Sequence, residues 1–135
     1  MTPKPQEHLF KKEYAKQLLA IAKGDFESAK VLKEVGRGRK ENVCFMAQQS
    51  IEKALKSVLC WHQVAFPLVH DAGILVAKMP QGVHPPSGYD LSVLTSFATN
   101  RRYEEGSIQL SLKDMESVLS TAQKVLAWAE KEIGQ

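Results

Sequence analysis

The segment NVCFMAQQSIEKALKSVLCWH, Asn42 to His62, constrains the fold more than any other part of the chain. Cys44, Ala47, Ile51, Ala54, Leu55 and Val58 recur at three- and four-residue steps, the spacing of a helix that buries one face. A strand needs alternation at every second residue, and no stretch keeps that alternation long enough to build a sheet.

The helical pattern recurs on both sides of this segment. His8 to Val35 reads as a first long helix, with Tyr14, Leu18, Ala22, Ala29 and Leu32 facing a core, and it stops at GRGRK, where Gly36 tolerates positive φ. Asn42 is the expected cap of the second helix, and Pro67 ends it by disfavouring helical backbone at Phe66. A short third helix is expected from His70 to about Met79, carrying Ile74 and Leu75, with His70 or Asp71 as its cap. MPQGVHPPSG, dense in proline and glycine, reads as loop. A fourth helix places Leu91, Leu94 and Phe97 inward and breaks at TNRRYEEG. The fifth opens on SLKD, where Ser111 and Asp114 have capping-box spacing, and runs through Met115, Val118, Ala122, Val125 and Ala129 to Ile133. The expected architecture is all-α: an up-and-down antiparallel bundle of four to five helices, formed as a single domain over residues 1–135.

With 135 residues, 44% of them hydrophobic, the chain has enough apolar material for one core. No apolar run reaches the roughly 20 residues that span a bilayer, and the charged N-terminus does not resemble a secretory signal, so a cytoplasmic location without membrane contact is expected. Cys44 and Cys60 lie sixteen residues apart on one expected helix. At the standard rise that is roughly 24 Å, beyond disulfide reach, and both read as reduced packing residues. Phe10, Phe45, Trp61, Phe66 and Trp128 add large apolar groups beyond the core stripes, which points to a homodimer.

The second helix also carries a polar set: Gln49, Glu52, Lys53 and Lys56 follow i, i+3, i+4, i+7 and share one face. The plain reading is an exposed Glu52–Lys56 pair, with Gln49 and Lys53 solvated. Basic residues also cluster in GRGRK and at Arg101 and Arg102, but a net charge of +3 is mild and a solvated surface accounts for it. Arg101 and Arg102 beside Tyr103 have the chemistry to grip a phosphate and stack on a base, or to pair with Glu104 and Glu105. The sequence has no Glu-x-x-His pair, no His-Glu-x-x-His and no Cys-x-x-Cys, so neither a metal nor another cofactor is expected.

AQQSIEKALKSVL, followed by FPLVHDAGIL, by RRYEEG and by a final amphipathic helix, resembles the HEPN family, the higher eukaryotes and prokaryotes nucleotide-binding domain. The likeness runs from Glu13 to Ile133 and is most specific in the Q-x-x-E-K-A-L-K core, Gln49 to Lys56, with weaker elements at His70 and at Arg102-Tyr103. It implies a helical bundle, a homodimer and a groove that handles nucleotides or RNA. The residues it marks for nucleotide or anion binding are Gln49, Glu52, Lys53, Lys56, His70, Arg101, Arg102 and Tyr103.

One departure sets this chain apart from the family's ribonucleases. They carry an Arg followed after four to six residues by a His, whereas here no histidine follows His84 and neither Arg37 nor Arg39 has a suitably spaced partner. Without a so-placed imidazole to move the 2′-OH proton, binding is expected rather than catalysis. The resemblance therefore implies a non-nuclease protein that binds a nucleotide or docks a small nucleotidyltransferase in a toxin–antitoxin-like pair. The alternatives are a metal-independent RNase toxin using Arg102 with a displaced His70 or His84, and a purely structural dimeric adaptor.

Overall fold

A computed structural model describes residues 12–68, 70–86 and 110–134. Within them the chain forms α1 (Lys12–Val35), α2 (Lys40–Trp61), α3 (Ala72–Ala77) and α4 (Leu112–Glu132), and no strand. The bundle is all-helical, as the periodicity predicts. The expected fourth helix, with Leu91, Leu94 and Phe97, lies outside the described residues.

The helix ends show which local signals act. Gly36, at φ +72°, closes α1 by donating its N–H to the carbonyls of Leu32 and Lys33. This left-handed stop turns the chain so that α2 returns antiparallel after four residues. Asn42 is not the cap of α2. The helix begins earlier, because the backbone is already extended at Arg39 and turns helical at Lys40, which leaves Asn42 inside the first turn with its N–H on the Arg39 carbonyl. Nor does Pro67 end α2. Gln63 adopts φ +62°, and Val64 donates to the Leu59 carbonyl at 2.9 Å while Gln63 donates to that of Cys60, a reversal that stops the helix well before the proline. The capping box of α4 forms as its sequence predicts, with Ser111 Oγ accepting from the Asp114 N–H and the Asp114 carboxylate from the Ser111 N–H.

α2 is the hub, packing against α1, α3 and α4. All six residues of its expected stripe are buried, as are Met115, Val118, Ala122, Val125, Ala129 and Ile133 from the last helix. Ala22, Ala29, Ala47, Ala54, Ala122 and Ala129 are wholly buried, and their small side chains let the helix backbones approach closely. On α1 the stripe is Ala15, Leu18, Leu19, Ala22, Phe26 and Ala29. Tyr14, expected inside, is 44% exposed because it sits one residue out of phase with Ala15. Ile74 is likewise exposed on the short α3, whose inward positions are Ala72 and Leu75.

Trp61, Phe66 and Trp128 are not spare apolar surface; each is half-buried against the core. Among the described residues Phe45 is exposed, as are Tyr14, Ile21, Val31 and Val35 on α1 and Leu68, Ile74 and Leu112 elsewhere, while Phe10 lies outside the described residues. Neither cysteine is in a disulfide, both are buried, and burial pushes the thiol of Cys44 up to about 12 and that of Cys60 up to about 11. They pack as apolar groups, and burial favours the thiol over the thiolate.

Two glycines yield opposite expectations. A Cβ meets nothing within 4 Å at either Gly24 or Gly36, so only backbone conformation separates them. Gly36→Ala should destabilise by about 1–2 kcal/mol, the cost of a left-handed L-residue. Gly24→Ala, inside α1, should stabilise by about 0.5–1 kcal/mol. Chemical denaturation of the two variants measures both signs.

Candidate functional site

α2 turns Phe45, Gln48, Gln49, Glu52 and Lys53 toward a cleft of about 470 Å³ that Met46, Asp25 and His70 also line. The α2 residues are spaced by three and four positions, so the helix itself sets them side by side. The other two side chains come from distant sequence. Asp25 projects from α1, and His70 is delivered by the segment that leads into α3.

That segment is fixed by Asp71. Its Oδ1 accepts from the N–H groups of Gly73 at 2.9 Å and Ile74 at 3.3 Å, which makes Asp71 rather than His70 the cap of α3. His70, released from that role, places Nδ1 3.1 Å from Glu52 Oε2. Glu52 is 2% exposed, whereas the His70 ring is mostly in solvent. Glu52 is therefore not the surface partner of Lys56 that its spacing suggests; it lies on the buried part of α2. Burial is the largest influence on its carboxyl and raises the pKa above the ordinary 4.5, opposed by the hydrogen bond and charge of His70 and by Lys56, with Asp71 adding to the rise. When Glu52 is ionised it only accepts, so Nδ1 donates to it and Nε2 stands outside this contact.

Lys53 is not merely solvated, as the plain reading of its face has it. Its Nζ lies 2.6 Å from Asp25 Oδ2, and both side chains are about two-thirds covered. Lys56 is half-exposed beside the cleft, with Nζ 6.0 Å from the Phe66 ring centroid. Gln48 is the anomaly. It is 3% exposed, and among the described residues neither Oε1 nor Nε2 has a hydrogen-bond partner. A buried polar group left in that state costs about 1–3 kcal/mol.

Of the eight residues singled out from sequence, Gln49, Glu52, Lys53 and His70 meet in this cleft and Lys56 lies next to it. Arg101, Arg102 and Tyr103 fall outside the described residues. Sequence reading passes over Asp25, Phe45, Met46 and Gln48. Phe45 and Gln48 had a usable signal, since they continue the spacing of Gln49 and Glu52 by one more turn. Asp25 had none, because nothing local pairs it with a lysine 28 positions later.

Residues 15–133 match the model of the HEPN domain family. Among solved structures, that of TT1696 from Thermus thermophilus superposes with a TM-score of 0.71 at 29% identity, covering 87% of this chain and 97% of that one. Comparison with curated protein sequences gives no match.

The elevated carboxyl of Glu52 makes stability depend on pH in a definite direction. The folded state holds the Glu52 proton more tightly than the unfolded chain, so raising the pH through 4.5 and up to the folded value removes stability. Glu52→Gln lacks this loss. Its melting temperature relative to the parent should therefore become steadily more favourable from pH 4 to pH 8 in a thermal unfolding series. A difference that is flat or of opposite slope would mean that the His70 partner outweighs burial.

Proposed function

This chain belongs to the HEPN domain family, and on that premise we propose that it is a non-nuclease member whose α1–α2–His70 cleft binds a nucleotide. The observation that carries the reading is the convergence of Gln49, Glu52, Lys53 and His70, from one helix and a separate segment, on one concave site of ligand size. A merely solvated polar face has no reason to recruit partners from two other elements. Phosphate contacts fall to Lys56, half-exposed beside the cleft, and to Arg101 and Arg102, with Tyr103 to stack on a base, the Arg102-Tyr103 pair being the one the sequence resemblance marks. Lys53 is held by Asp25 and acts through that pair.

The proposal includes a homodimer and, as a protein partner, a small nucleotidyltransferase in a toxin–antitoxin-like arrangement. For the dimer the support is the outward face of α1, where Tyr14, Ile21, Val31 and Val35 are 44–59% exposed. Among the described residues no helix is long and apolar enough to cross a membrane. Sedimentation at micromolar concentration should show a dimer, and Ile21→Glu should shift it to monomer.

A second reading is favoured by one contact. A histidine whose Nδ1 is held by a buried carboxylate, with Nε2 outside that contact, has the arrangement of a general base, so His70 with Glu52 fits the ribonuclease alternative with a displaced histidine. One screen separates the two. Thermal shift against nucleotides and short RNAs should reveal stabilisation of about 2.7 kcal/mol at a hundredfold excess over the dissociation constant. The RNAs should be recovered intact; metal-independent cleavage abolished in His70→Ala would select the second reading instead.

A further inference from the structure

We propose that the cleft is a nucleobase pocket for bases bearing an exocyclic amine beside a ring-nitrogen acceptor, adenine and cytosine, with Gln48 pairing to that edge and Phe45 stacking on the ring. The inference deepens the nucleotide-binding reading and rests on it.

Three features converge on this assignment. The first is the unpartnered Gln48 amide, 3% exposed in the cleft wall. A primary amide sets one donor and one acceptor side by side, the complement of an amine next to a ring nitrogen, and glutamine pairs with adenine in this bidentate way. The second is Phe45, one helical turn away on the same side of α2, lining the cleft yet 48% exposed. An aromatic face left open beside an unsatisfied amide is what a stacked base would cover.

The third is charge. The basic groups lining the cleft are already engaged, Lys53 with Asp25 at 2.6 Å and His70 with Glu52 at 3.1 Å. The pocket interior therefore suits an uncharged ring, and phosphates belong at its mouth near Lys56. An amide rotates to suit either hydrogen-bonding polarity, so Gln48 alone does not choose between bases. Asp25 does, because its partly exposed carboxylate lines the cleft and attracts an amine while repelling the carbonyl oxygen that inosine or uridine puts in its place.

Calorimetric titration with adenosine, cytidine, inosine, uridine and AMP tests the assignment on the parent protein and on Gln48→Leu. Adenosine and cytidine should bind at least tenfold tighter than inosine and uridine, and AMP no worse than adenosine. Gln48→Leu should lose at least tenfold in adenosine affinity while melting at or above the parent temperature, since it removes a buried amide that has no partner. A residue of purely structural importance would not give that combination. Should Gln48→Leu fail to fold, Phe45→Leu, which alters a half-exposed side chain, must show the same loss. Unchanged adenosine affinity in the variant that folds, or inosine binding as tightly as adenosine, overturns the base assignment. AMP binding that persists in Gln48→Leu leaves nucleotide binding standing and removes only the base pocket. Absence of binding by every probe at millimolar concentration removes both.

Discussion

Every part of this bundle answers to the burial of α2. Its neighbours cover it on nearly every side, and the covering extends past the apolar stripe to Gln48, Ser50, Glu52 and Ser57. A polar group that loses water must regain its hydrogen bonds inside the protein. Ser50 Oγ donates to the Ala22 carbonyl at 2.7 Å, tying α2 to α1, and Ser57 Oγ donates to the carbonyl of Ala54 one turn back. Glu52 takes His70, and the more exposed Lys53 takes Asp25. The bonds from Ser50, Glu52 and Lys53 all reach another segment, so the polar face of α2 fixes how α1 and the entry to α3 sit against it.

Gln48 breaks this rule, and its position gives the exception meaning. It lies between Phe45 and Glu52 on the wall of the cleft, where an apolar residue of similar volume would remove an unsatisfied amide. Natural chains tolerate such local costs where a site needs them. The same cleft holds Glu52, whose burial holds the carboxyl above its ordinary range. Two unfavourably buried groups one turn apart, in a concave site of about 470 Å³, mark the region where this fold gives up stability.

The absence of the ribonuclease spacing from the sequence and the presence of a carboxylate-held histidine belong to different levels of description. The first depends on chain order alone. The second joins residues eighteen positions apart through tertiary contact, with Asp71 holding the α3 entry in place. An imidazole oriented by Glu52 serves a bound ligand as acceptor or proton relay equally well, so this geometry does not by itself define a reaction.

What the sequence determined alone was whatever depends on neighbours within a turn or two. Helical periodicity marked the stripes of α2 and α4, Ser111 and Asp114 marked a capping box, and Gly36 marked the left-handed stop of α1; all are set by local sterics and hydrogen bonding. The same reading missed the Schellman-type turn at Gln63, because a non-glycine residue at positive φ leaves no compositional trace. It also took Glu52 for a surface group, because helical spacing says which residues share a face but not what will cover that face. Only tertiary packing decided that Glu52 is buried, that Lys53 answers Asp25, and that the Gln48 amide has no partner among the described residues. Burial and pairing are properties of surfaces brought together from distant sequence, and no local pattern encodes the identity of the surface that arrives.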